Sequence, residues 1–190
     1  ETLKPEIRLT SHQSLLFTDI EESSKAELTN ILKKHNVQLS EEYSTVRRWS
    51  MACVAWPTCG LAITESERAL PVMMDEFEKE LAKIGLSSEA FTVRMTGCPN
   101  GCARPFNPDI GLVGKAKNRY TMYLGGRLLG NRLAFIYKDL VPFEEIVPEI
   151  MKVMTLFKAN REENETFGDF CDRIGKDSLL AQTDEVENAS

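Results

Sequence analysis

The sequence predicts a fold of mixed helices and strands in two parts of unequal size, from three observations. Apolar residues alternate in two short runs within 6–20, the pattern of strands with one buried face. They recur at three- and four-residue spacing in 21–37 and 142–161, the pattern of helices with one buried face. Short strand-like runs then crowd into 91–126, separated by turn residues.

The elements follow in order. In "EIRLTSHQSLLFTDI" the pairs Ile7/Leu9 and Leu15/Phe17 predict two strands meeting at Ser11–Ser14. Residues 21–37 predict a helix with Leu28, Ile31 and Leu32 on one face, its early glutamates suited to the positive N-terminal end. This strand–strand–helix unit has about 40 residues, marginal for independent folding. Residues 40–60 have weak periodicity and read mainly as loop. A helix is expected over 61–85, broken or restarted at Pro71 and closed at Gly85. "FTVRMT" (91–96), "DIGLVGKA" (109–116) and "RYTMYLGG" (119–126) read as strands, the last two joined by a turn at Lys117–Asn118. Ile146, Ile150, Val153, Met154 and Phe157 share one side of the 142–161 helix, and a shorter helix starts near Thr166. The polar ending is expected to be disordered. The domains expected are therefore 1–42, 43–178 and a disordered tail over 179–190.

A formal net charge of −6 with no basic stretch argues against a nucleic-acid partner. No apolar run approaches the length of a membrane span, and "ETLKPEIRLT" is no signal peptide. The absence of an initiator Met suggests a fragment or a processed form. Five cysteines in 190 residues are too sparse for a secreted disulfide scaffold. A reducing compartment, the cytoplasm, is expected, with thiols kept for metal or catalysis.

Four of those cysteines form two pairs, Cys53-x5-Cys59 and Cys98-x3-Cys102, with residues 60–97 between them. Zinc sites favour two to four residues between paired cysteines, which suits the second pair but not the first. His12 and His35 both lie far away, in the first unit. A disulfide between Cys98 and Cys102 would close no useful loop. Inert buried thiols are the plain alternative, and they suit Cys171, set among Phe167, Phe170 and Ile174. Iron–sulfur ligation needs thiolates on a compact, backbone-rich surface. Ala52, Gly60, Gly97 and Gly101 leave room for an inorganic core, and Pro57 and Pro99 stiffen the loops. The spacing is better matched to an iron–sulfur cluster than to zinc, and both stay open.

The stretches "SMACVAWPTCGLAITESERALP", "MTGCPNGCARP" and "IGLVGKAKNRYTMYLGG" closely resemble the C-terminal half of the siroheme-containing sulfite and nitrite reductases. The assimilatory sulfite reductase haemoproteins are the nearest members. "IRLTSHQSLL" resembles the family's second ferredoxin-like half-repeat, and "ETFGDFCDRIG" its C-terminal signature. The implied fold is α+β: one half of a pseudo-twofold structure, a ferredoxin-like half-repeat followed by a cluster-binding domain. The resemblance implies that Cys53, Cys59, Cys98 and Cys102 ligate a [4Fe–4S] cluster. It implies that Cys102 also touches the siroheme iron and is thereby part of the catalytic centre. Thr96 and Asn100 match positions beside the cofactors, and Gln13 matches a glutamine approaching the siroheme.

The implied activity is six-electron reduction of sulfite to sulfide, with nitrite to ammonia as the rival. A stand-alone iron–sulfur or zinc protein is the alternative of a different class. The implied partners are the N-terminal half of the enzyme and an electron donor, ferredoxin or a flavoprotein. Family residues that hold the anion lie in that other half. The isolated chain is therefore expected to be inactive, with either cofactor open to loss and self-association open to it. Arg47, Arg48, Arg94, Arg104 and Lys115 can meet carboxylates, although surface or salt-bridged charge is the default for each. Lys115 is singled out because Gly111 and Gly114 on its strand allow a cofactor to approach.

Overall fold

The computed structural model describes residues 3–188, so residues 189–190 of the expected tail lie outside it. The chain forms two compact units, Glu1–Ser44 and Thr45–Ser190. The boundary falls two residues after the one expected at 42/43.

In the first unit, β1 (Glu6–Leu9) and β2 (Leu15–Thr18) pair antiparallel, with Glu6 opposite Thr18 and Leu9 opposite Leu15. Thr10 organises the turn: its hydroxyl accepts from the amides of His12 and Ser14, and its carbonyl from Gln13. Gln13 occupies the left-handed region at φ 60°. Helix α1 (Lys25–Lys34) follows a short 3-10 turn. None of the described residues of β1, β2 or α1 is buried.

The second unit is built on a five-stranded sheet of order β3-β4-β5-β6-β7. Its strands are β3 (Ser50–Ala52), β4 (Val93–Thr96), β5 (Ile110–Ala116), β6 (Arg119–Leu124) and β7 (Phe135–Pro142). β3, β4 and β5 run parallel, and β5, β6 and β7 antiparallel. A one-turn helix, α2 (Thr45–Arg48), precedes β3. Both lie where the sequence reads as loop. β3 is only three residues long, too short to show a period, and its neighbours define it. β7 likewise falls outside the strands expected.

Helix α3 (Ala69–Lys83) starts well after residue 61. Pro71 sits in its first turn, where no intrahelical acceptor is lost, so the proline belongs to the helix start and breaks nothing. Leu70, Met73, Met74, Phe77 and Leu81 form its buried face, and Gly85 follows the helix at φ 72°. Helix α4 (Ile146–Asn160) buries Ile146, Val147, Ile150, Val153, Met154 and Phe157. The α3 and α4 faces share one core with Val93, Met95, Ile110, Leu112, Tyr120, Met122 and Leu124 of the sheet. Helix α5 (Phe167–Ile174) is capped by Thr166, whose hydroxyl accepts from the Asp169 amide.

The expected disordered tail is instead helix α6 (Lys176–Asn188) as far as the structure describes it. Leu179 and Thr183, four residues apart, are both fully buried, and Thr183 hydrogen-bonds Tyr137 of β7 at 3.0 Å. Two buried positions on one face suffice to dock a polar helix that composition alone marks as unstructured.

Candidate functional site

The two cysteine pairs leave the same end of adjacent parallel strands. Ala52 pairs in register with Met95, so Cys53 follows β3 beside the point where β4 runs into Gly97 and Cys98. The Cys53 amide extends this ladder, donating to the Met95 carbonyl at 3.2 Å. Strand ends of a parallel sheet are a usual place for binding loops, because side chains and amides converge there without blocking the core.

The first loop folds back on itself. The Cys59 amide donates to Ala55 at 2.7 Å, and Ala62 to Cys59 at 3.1 Å. Its return arm is held by the second loop, with Ile63 and Thr64 both donating to the Gly97 carbonyl. Thr64 is tied to β6, since its hydroxyl accepts from the Asn118 amide and contacts the Tyr120 hydroxyl. Ser66 donates to the Met95 carbonyl at 2.7 Å.

The second loop turns through Gly101 at φ 68° and Arg104 at φ 55°, with the Arg104 amide donating to Gly101 at 2.7 Å. One bond links the pairs directly: the Gly97 amide donates to Cys53 Sγ at 3.3 Å.

Cys98 is buried, Cys53 and Cys59 are half-buried, and Cys102 is exposed. Of the four, Cys102 is therefore the most open to solvent. Among the described residues, no three His, Cys, Asp or Glu side chains gather closely enough to hold one metal ion. The four cysteine thiols are the right donor chemistry for a [4Fe–4S] cluster, and the Gly97 amide meets the need for hydrogen bonds to its sulfurs. An added Cβ at Gly60 would meet nothing within 4 Å, which leaves space beside Cys59. The residues present fit the group.

The glycines of β5 correct the reason for singling out Lys115. A Cβ at Gly111 would strike the Pro105 carbonyl, and one at Gly114 the Gly97 carbonyl. Their space is filled by the cysteine loop itself. Lys115 is exposed and lies in the field of Asp139, whose pKa is lowered chiefly by the Thr121 hydroxyl. Thr96 is fully buried, and its hydroxyl donates to the Leu112 carbonyl at 3.5 Å. Asn100 is exposed at the tip between Cys98 and Cys102. Gln13 is exposed on the hairpin turn of the other unit. The structure therefore gathers Thr96, Asn100 and the paired cysteines around one strand end. Cys171 stands apart on α5, fully buried, and burial pushes its thiol pKa well up.

The arginines divide sharply. Arg47 is ion-paired with Asp75 and Glu78, each at 2.6 Å, as expected of a structural charge. Arg94 is 1% exposed within β4 and forms no salt bridge among the described residues. Burial and the neighbouring Arg104 push its pKa below the ordinary arginine value. Its signal was available in the sequence, as the one charged residue of "VRMT", a strand leading straight into a cysteine.

Comparison with known proteins bears on these loops. A family model described as the nitrite and sulphite reductase 4Fe-4S domain matches residues 43–189, which include both cysteine pairs. The chain is 44% identical over 172 residues to a sulfite reductase [NADPH] hemoprotein beta-component of Staphylococcus carnosus, spanning 90% of this chain and 30% of that protein. It is 43% identical over 171 residues to a sulfite reductase [ferredoxin] of Synechococcus elongatus, spanning 90% of this chain and 27% of that one. Among solved structures, the NirA protein of Mycobacterium tuberculosis superposes with a TM-score of 0.77 at 29% identity, over 91% of this chain and 33% of that one. Dissimilatory sulfite reductase I shares the fold, with a TM-score of 0.69 at 12% identity over 94% of this chain and 62% of that one.

Proposed function

From the premise that this chain belongs to the nitrite and sulphite reductase 4Fe-4S domain family, we propose that it is the cluster-bearing part of a siroheme-dependent sulfite reductase. The reaction is the six-electron reduction of sulfite to sulfide. The observation that carries this reading is the joining of two cysteine loops at one parallel strand end, with the Gly97 amide on Cys53 Sγ. Similarity to proteins named as sulfite reductases supports sulfite over nitrite as the substrate. The chain covers about a third of those relatives' length, so the activity is assigned to a larger assembly to which it contributes.

When bound, the cluster and siroheme supply one-electron steps at a single iron, the chemistry that a six-electron reduction requires. The chain's own part is to hold and shield. Buried Cys98 and half-buried Cys53 and Cys59 are the ligands proposed to hold the cluster on its protein side. Cys102, the exposed thiol, is the ligand placed to face a second cofactor. Asn100 sits beside it on the tip, and Thr96 backs the loop by fixing β4 to β5. Lys115, near the end of the central strand β5, is proposed to meet a tetrapyrrole carboxylate, and the family resemblance proposes Gln13 as a further siroheme contact. The electron donor is a ferredoxin or a flavoprotein. Five free thiols suit a reducing, cytoplasmic setting. Among the described residues no helix is long and apolar enough to cross a membrane.

The test is iron and acid-labile sulfide content after anaerobic reconstitution of the chain. Replacing Cys53, Cys59, Cys98 or Cys102 by Ser should abolish or sharply lower both, and Cys171→Ser should leave them unchanged. Equal loading of all five variants would refute the ligand assignment. With siroheme also supplied, these 190 residues alone should show no sustained production of sulfide from sulfite. Multi-turnover activity would show that the chain needs no other part of the enzyme.

A further inference from the structure

Arg94 is a charged side chain buried within a strand. It lies on β4 between Met51 of β3 and Gly111 of β5, its register partners. Gly111 offers no side chain, and the Pro105 carbonyl fills the space. The guanidinium therefore lies beneath the segment that carries Cys98 and Cys102. Among the described residues its Nε has no hydrogen-bond partner, and its Nη1 makes one long bond, 3.5 Å, to the carbonyl of Ala103, the residue after Cys102. The charge that acts on it is Arg104, of the same sign, and no carboxylate of the described residues offsets it. A fully buried, unpaired guanidinium is costly, and such groups persist where something else compensates them. Four thiolates around an iron–sulfur core carry a net negative charge at this same loop.

We infer that Arg94 is the buried countercharge for the iron–sulfur cluster, set under the Cys98–Cys102 loop to stabilise its more negative, reduced state. The inference rests on the cluster reading above. It assigns to one arginine a control of potential that the cysteines alone do not provide. When the cluster takes up one electron from a reductant such as dithionite, its negative charge rises by one unit. A fixed positive charge nearby favours that step, and its removal disfavours it.

The test is a dithionite titration, followed by electron paramagnetic resonance, of the reconstituted chain with Arg94, Arg94→Gln and Arg94→Lys. In Arg94→Gln the ratio of oxidised to reduced cluster at a fixed potential should rise about tenfold, a downward shift of about 59 mV for a one-electron couple. Arg94→Lys keeps the charge and should stay near the parent value. A second readout needs no iron. In the cofactor-free chain, Arg94→Met should raise the urea midpoint, because the unpaired charge no longer has to be buried. Coincident potentials in parent and Arg94→Gln, both with intact clusters, would overturn the inference and leave the cysteine assignment standing. A lowered urea midpoint in Arg94→Met would overturn it too, since it would mark Arg94 as a structural prop. If Arg94→Gln loses its cluster, Arg94→Lys decides: retention at the parent potential supports a need for charge, and loss in both variants overturns it in favour of shape. A parent chain that takes up no cluster while folded would instead bring down the proposed function, and this inference with it.

Discussion

The two units handle apolar residues in opposite ways. In Glu1–Ser44, Ile7, Leu9 and Leu15 are at least half exposed, and neither strand nor the helix buries a residue. In Thr45–Ser190, four aromatic rings converge. Phe157 meets Phe91, Phe167 and Phe170 edge-on at 5.4–6.2 Å, inside a core reaching from α3 to α6. Both units have amphipathic elements, so pattern does not separate them. What separates them is the number of layers. A hairpin and one α-helix have no second face to cover the first, whereas a five-stranded sheet with five α-helices has. Rigid placement of cysteine loops needs the second kind of unit, and the cysteines are found there.

The sharpest way to break this comparison is Phe157→Ala. Its ring is 1% exposed, so truncation should cost about 3–5 kcal/mol, read as a lower urea midpoint for the second unit. A change under about 1 kcal/mol would show that the aromatic cluster is not what holds this unit. Gly111→Ala comes next and separates the core from the loop seat. Its Cβ would strike the Pro105 backbone, and relieving such overlap should cost about 1–3 kcal/mol. Iron loading should fall with it, because the Cys98–Pro105 segment is displaced. Full iron loading in that variant would show that the loop can be seated elsewhere.

A smaller effect is expected at Glu149, which joins α4 to β7 through Lys138 at 2.6 Å and bonds Lys152 at 2.9 Å. Burial tends to raise its pKa, but the two lysines outweigh burial and hold it below the usual glutamate value. A depressed carboxylate stabilises the fold above its unfolded pKa, and that stability is lost as pH falls through the folded one. Glu149→Gln should therefore cost about 1 kcal/mol at neutral pH, after discounting for solvent screening. The difference from the parent should vanish as pH drops below the carboxylate range. A gap that persists unchanged in acid would show that packing, not charge, is at work. The smallest effect belongs to the first unit. Leu9→Ala, on a side chain 84% exposed, should change stability by less than about 0.5 kcal/mol. A loss comparable to that of Phe157→Ala would show that the hairpin is packed as tightly as the second unit.

Local signals carried much of the architecture. The alternation around Ser11–Ser14 marks the hairpin, and the three- and four-residue spacing of Ile146, Ile150, Val153 and Phe157 marks α4. A helix or strand long enough to show its period announces which face will be buried, because that face is written at fixed intervals along the chain. The paired cysteines were legible for a similar reason. Their spacing is local within each pair, and their resemblance to a known family linked the pairs.

Other features lie in contacts between segments remote in sequence, and tertiary structure alone decided them. β3 is a strand because β4 lies beside it, and three residues hold no period of their own. α6 is a docked helix because Thr183 meets Tyr137, a bond across 46 positions of sequence. Gly111 and Gly114 make room for the backbone of the cysteine loop, which only the approach of Pro105 and Gly97 reveals. Arg94 shows the limit most plainly. The letters "VRMT" place a charge in a strand, but whether that charge meets water, a carboxylate or a buried void depends on what β3, β5 and the 98–105 loop put around it. Sequence sets the chemistry each side chain brings. Its electrostatic role is set by neighbours that the fold brings from elsewhere, because charge is stabilised or left uncompensated by distance in space and not by distance along the chain.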